Sequence, residues 1–138
     1  MGKIFYLSAC TCLMMVGCDG FGPGITDFQG ELGNGYLLVQ FNAHQIEIMP
    51  RSGCVNGDEK CLPSKIVSCG VDRKIIVAKQ QLLDAKGKPI AGDYKYWIVD
   101  GPLRKRYGPF TEKEFLAKRT ELGVPDSVKL RSKDSFRP

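Results

Sequence analysis

The sequence predicts a small α+β domain, mainly β: an antiparallel meander of five to seven strands with one C-terminal α-helix packed on it. Three observations carry this. Short apolar runs, several alternating with period two, recur between residues 36 and 107 and end in Asn, Asp, Gly or Pro. One helix signal, bounded by Thr111 and Gly123, follows them. No strand–helix–strand alternation is present, so a parallel sheet has no crossovers to build it. The 138 residues suit one domain, and 43% apolar with 25% charged residues excludes a disordered chain. A mean hydropathy of −0.17 excludes a multi-span membrane protein. The net charge of +5 falls short of a nucleic-acid-binding footprint.

Residues 1–17 stand outside the domain. Met1-Gly2-Lys3 is a short basic start, and Ile4 to Gly17 is a 14-residue stretch without charge. A helix crossing the bilayer needs about 20 residues, so this stretch suits a secretory signal instead. It ends in Met15-Val16-Gly17-Cys18. Residues 18–35 read as a modifiable cysteine and a Gly-rich tether, with six glycines in 19–35. Ile25 to Leu32 is the part of it that could serve as a first edge strand.

The single domain is expected over 36–138. Tyr36 to Phe41 and His44 to Met49 make a hairpin about Asn42-Ala43, with Ile46 and Ile48 on one face and Pro50 as the stop. Lys65 to Val71 and Lys74 to Gln80 form the next pair, turning at Asp72-Arg73. Asp84 to Asp93, with Gly87 and Gly92, reads as a polar loop. Tyr94 to Val99 is the strongest strand, turned by Asp100-Gly101-Pro102, with Arg104 to Tyr107 pairing back. The helix is expected over about 112–122. Thr111 and Glu114 form a capping box, Phe110 and Phe115 a hydrophobic staple, and Glu114 and Lys118 an i,i+4 pair. Gly123 and Pro125 end it. Phe115, Leu116 and Leu122 are its expected buried face.

Cys10 and Cys12 leave with the signal. Of the rest, Cys54 and Cys61 flank the polar stretch 55–60, and a bridge between them closes a short loop. Cys69 is then a buried free thiol; its pairing with either of the others is the alternative. A metal site of these cysteines with His44 lacks the close C-x₂₋₄-C spacing of structural zinc, and a Cys69–His44 dyad has no local signature. Neither a metal nor a cofactor is expected. Tyr94, Tyr96 and Trp97 are the candidate binding face, weighed against the alternation that sends such residues into a core. Residues 101–138 hold ten bases and five acids, a candidate contact with anionic head groups or an ordinary solvated face.

Met15-Val16-Gly17-Cys18 resembles the lipobox of bacterial lipoproteins, with Met15 in place of the usual Leu. Leu7-Ser8-Ala9-Cys10 fits the letters better, but cleavage there leaves almost no apolar region in the signal. The resemblance implies a thioether-linked diacylglycerol on Cys18 with an added N-acyl chain, and Asp19 implies retention in the inner membrane. Tyr96-Trp97-Ile98-Val99-Asp100, Tyr107-Gly108-Pro109-Phe110-Thr111 and Leu122-Gly123-Val124-Pro125 are similar to a family of small bacterial lipoproteins of unknown function. That family lends no activity to any residue here.

The function expected is therefore a membrane-anchored, non-catalytic envelope protein that binds a protein partner, an immunity or inhibitor role against a toxin included. The alternative is a small-ligand or lipid-binding module using strand 94–99. No catalytic motif and no nucleic-acid signature stands out.

Overall fold

The computed structural model describes residues 28–54 and 60–138. The expected signal, Cys18, Asp19 and the first part of the expected tether lie outside the described residues. Among the described residues, eight strands form two antiparallel sheets, with one helix on the outer face of the larger sheet. The first sheet is a meander of β1 (Phe28–Gly33), β2 (Tyr36–Gln40) and β3 (Ile46–Pro50). The second has the order β7-β6-β5-β4-β8, from β4 (Ile66–Val71), β5 (Ile75–Leu83), β6 (Pro89–Asp100), β7 (Lys105–Phe110) and β8 (Arg131–Ser132).

Period-two alternation gives the second sheet two buried faces. Ile76 and Ala78 of β5, with Trp97 and Val99 of β6, meet Leu38, Ile46 and Ile48 of the first sheet. Val77, Tyr96 and Ile98 point the other way, to Phe115 of the helix and to Val124 and Val128 beyond it. Strands covered on both faces must be apolar at consecutive positions, hence Ile75-Ile76-Val77-Ala78 and Trp97-Ile98-Val99. The molecule thus has three layers: small sheet, large sheet, helix.

Helix α1 (Glu112–Glu121) begins at Thr111, whose Oγ1 accepts from the Glu114 N–H at 3.2 Å. It ends in a Schellman arrangement: the Val124 N–H donates to the Arg119 carbonyl and that of Gly123 to Thr120, with Gly123 at φ +66°.

Within the stretch 25–32 weighed as a first edge strand, β1 begins at Phe28, with Phe28, Gly30 and Leu32 alternating inward despite the glycines. Several other expectations are corrected. The 84–93 loop shrinks to 84–88: Asp84 Oδ1 accepts from the Lys86 and Lys88 N–H groups, and β6 starts at Pro89, opposite Leu83. This start of β6, Pro89-Ile90-Ala91-Gly92, is largely exposed, so no alternation of apolar and polar residues marks it. The first hairpin turns over Phe41–Gln45, where Asn42 Oδ1 caps the His44 and Gln45 N–H groups. Leu116 is 56% exposed, and among α1 residues Phe115 is the buried one. Neighbouring positions lie about 100° apart around a helix, so Phe115 facing the sheet turns Leu116 out. Lys118 pairs with Glu121 rather than Glu114, and its ammonium sits over the Tyr107 ring at 5.1 Å. After α1 the chain forms β8 and a 3-10 turn, Lys133–Phe136, where a tail was expected.

Cys54 and Cys61 are bonded, with Cα atoms 6.2 Å apart. The bridge holds the link between the sheets, where the Leu62 N–H donates to the Ile48 carbonyl at 2.8 Å.

Candidate functional site

The strand expected to present an aromatic face divides its rings between two layers. Trp97 lies between the sheets, 5% exposed, and its Nε1–H donates to Gln80 Oε1 at 2.8 Å. Gln80 in turn donates to the Ser64 carbonyl at 2.6 Å. Burial of the indole N–H therefore comes with a partner, as it must. Tyr96 faces the helix and stacks on Phe115 with centroids 5.0 Å apart. Tyr94 is half-buried on that side, with the Lys79 ammonium 4.2 Å from its ring centre. Tyr94, Tyr96 and Trp97 therefore cannot form one binding face; adjacent strand residues point to opposite sides.

What remains on the helix side is an open groove of about 420 Å³ between α1, β5–β6 and the segment after the helix. Tyr96 and Phe115 line its floor, Leu116 and Leu130 are among its apolar walls, and Lys79 and Lys129 are basic against Glu112 and Asp126. Arg119 also borders it, but its guanidinium is committed: it donates to the Pro125 and Val128 carbonyls at 3.0 and 2.7 Å and lies over the Phe115 ring. Arg119 thus fixes the wall instead of offering a free cation. The groove can accept an apolar side chain of a partner with polar groups around it. Sequence reasoning missed it because its walls come from elements far apart in the chain, and Leu116 was assigned to the core.

A second hollow, about 340 Å³, lies at the end where the chain enters β1; Asn42, His44, Gln45, Ser64, Leu83 and Gly87 line it. His44 is exposed there in the hairpin turn, whereas Cys69 is wholly buried in β4. No group of three or more His, Cys, Asp or Glu side chains placed to hold a metal occurs among the described residues. Burial pushes the Cys69 thiol up to about 12, against the pull of Arg131 beside it. Asp134 is held below the usual carboxylate range by the hydrogen bond and charge of Lys133, with Arg137 adding to both.

A family model described as "Protein of unknown function (DUF3997)" matches residues 33–134. No curated protein and no solved structure matches.

Proposed function

We propose that this chain, which belongs to the DUF3997 family of proteins of unknown function, is a lipid-anchored, non-catalytic envelope domain that binds a protein partner through the groove beside α1. The observation that carries the binding role is Leu116. It is a large apolar side chain, 56% exposed, on the rim of a groove floored by the Tyr96–Phe115 stack. Apolar anchors seated in such pockets dominate the energetics of many interfaces.

The anchor rests on Met15-Val16-Gly17-Cys18 after an uncharged stretch too short to span a bilayer. No helix among the described residues is long and apolar enough to cross a membrane. Two or three acyl chains hold a protein firmly where one is marginal. Asp19 favours the inner membrane as the place of retention, and an inhibitor of a toxin acting in the envelope is one form the binding role takes. The alternative ligand site on strand 94–99 loses Trp97 to the core and is reduced to the same groove.

Two measurements test the reading. Cys18→Ser should abolish the diacylglyceryl mass and release the protein from membranes or block its processing; unchanged mass and retention exclude the anchor. A photo-crosslinking residue at position 116 should give a discrete protein adduct in cells, and one at 86 should not. A folded protein with no adduct at 116 rules out the groove as the binding site.

A further inference from the structure

We infer that the end of the sandwich formed by the turns at 33–35, 72–74 and 101–104 docks on an anionic lipid surface, with Leu103 entering the head-group layer between fixed cations. Leu103 is 70% exposed, the most exposed large hydrophobic side chain among the described residues, and it sits at the tip of the β6–β7 turn. Around it stand Arg73, Lys74, Arg104 and Lys105.

This end is rigid. Asn34 Nδ2 donates to the Arg73 carbonyl at 2.7 Å, the Gly101 N–H donates to that of Lys74 at 2.7 Å, and Gly101 lies against Asn34 with no room for a Cβ. The Arg104 guanidinium stacks on Tyr36, 4.8 Å from the ring centre, and the Lys105 ammonium lies 5.0 Å from that of Tyr107. The carboxylates nearby leave this end net positive. Asp72 and Asp100, which accept from the Arg73 and Leu103 N–H groups, keep their charge but face four bases, and Glu31 pairs with Arg51. A preordered apolar tip ringed by cations matches a surface of phosphates over acyl chains, where each basic residue raises partition roughly fivefold. The opposite end also carries bases, Lys86 and Lys88, but its nearest exposed large apolar side chain, Ile90, is only 38% exposed.

The inference draws on the anchor reading for local concentration alone. Phe28 pairs with Gln40 at the far end of the small sheet, roughly 20 Å from this tip by strand rise. Cys18 precedes Phe28 by ten residues, and such a segment reaches up to about 35 Å. An anchored domain can therefore tip Leu103 onto the bilayer, and weak docking suffices once it is intramolecular.

The test uses the membrane-extracted full chain carrying Leu103→Trp or, at the opposite end, His44→Trp. Vesicles of brominated phosphatidylcholine are compared with and without phosphatidylglycerol; buried Trp97 is a common background. Quenching at 103 and not at 44, only with phosphatidylglycerol and reversed at ~1 M salt, where screening shortens to about 3 Å, is expected. Arg73→Glu with Lys74→Glu should weaken it by tenfold or more, since each basic residue contributes roughly fivefold. Equal quenching at both positions, or none at 103, overturns the inference and leaves this end to an acidic protein. Flotation with phosphatidylcholine alone reads the anchor; its failure sinks that reading while the phosphatidylglycerol comparison still decides the docking.

Discussion

At the scale of single residues, two hydrogen-bonding groups and one thiol set clear expectations. Thr111 supplies the acceptor for an otherwise unpaired N–H of the first helical turn, so Thr111→Ala should cost about 1 kcal/mol in denaturant unfolding. Trp97 and Gln80 form a buried pair, and Trp97→Phe leaves the Gln80 oxygen without its donor as well as a gap in the core. A loss of roughly 2–4 kcal/mol is expected, combining the lost bond with the cavity. Cys69 should resist alkylation in the native protein at pH 8 and react fully after unfolding, because it is buried and its thiolate is disfavoured. The sign of its pH effect follows. The unfolded thiol titrates near 9 and the folded one near 12. The folded state therefore retains a proton that the unfolded state releases, so stability falls as pH climbs from 9 toward 12. A Cys69→Ala variant should show a shallower fall over that range, measured by unfolding at fixed pH values. The sequence identified each of these three residues and, for Thr111, the partner Glu114 as well; the partners of Trp97 and Cys69 came only from the fold, since Gln80 and Arg131 reach them across strands.

At the scale of elements, legibility tracked burial on alternate positions. β2, β3, β4 and the middle of β5 and β6 could be read because one or both faces are packed, as Leu38, Ile46, Ile48 and Val77 show. The first residues of β6 could not: Ala91 and Gly92 are exposed, so the ladder there is held by backbone bonds that leave no hydropathic trace. β8 is the extreme case, two exposed residues joined to β4 opposite Ser68 and Cys69. The groove was hidden for a related reason, since it depends on which of Phe115 and Leu116 turns inward, a choice settled by the Tyr96 ring across the interface. The disulfide joins two elements whose order the chain alone would leave loose. Cys54→Ser with Cys61→Ser, or reduction, should lower stability by somewhat under ~3 kcal/mol, as expected for a short closed loop. Matched unfolding curves with and without reductant on a Cys69→Ala background, where no free thiol can exchange with the bridge once the chain unfolds, measure this directly.

At the scale of the whole molecule, the last fifteen residues tie the three layers together. Val124 and Val128 lie under the helix layer, Arg131–Ser132 pair with the edge of the large sheet, and Phe136 packs against the core between the two sheets. The chain therefore passes around the β4 edge from one core to the other. Two glycines make the passage possible by close approach: a Cβ at Gly70 would strike the Lys129 carbonyl, and one at Gly30 would strike that of Phe136. Lys133 adds a hydrogen bond to Gln40 Oε1 at 2.9 Å and lies 5.8 Å from the Phe28 ring centre. Removing residues 131–138 should thus do more than shorten a tail. It uncovers the β4 edge, deprives Phe28 of its cover and exposes a strand able to pair with another chain. The truncated protein is expected to unfold at clearly lower denaturant and to self-associate, read by chemical unfolding and by sedimentation. Gly30→Ala, which leaves the composition of both cores intact, should destabilise in the same direction by displacing the 3-10 turn. If instead both variants matched the parent in midpoint and mass, the C-terminal segment would be an ornament on the three layers, and the account of it as their tie would fail.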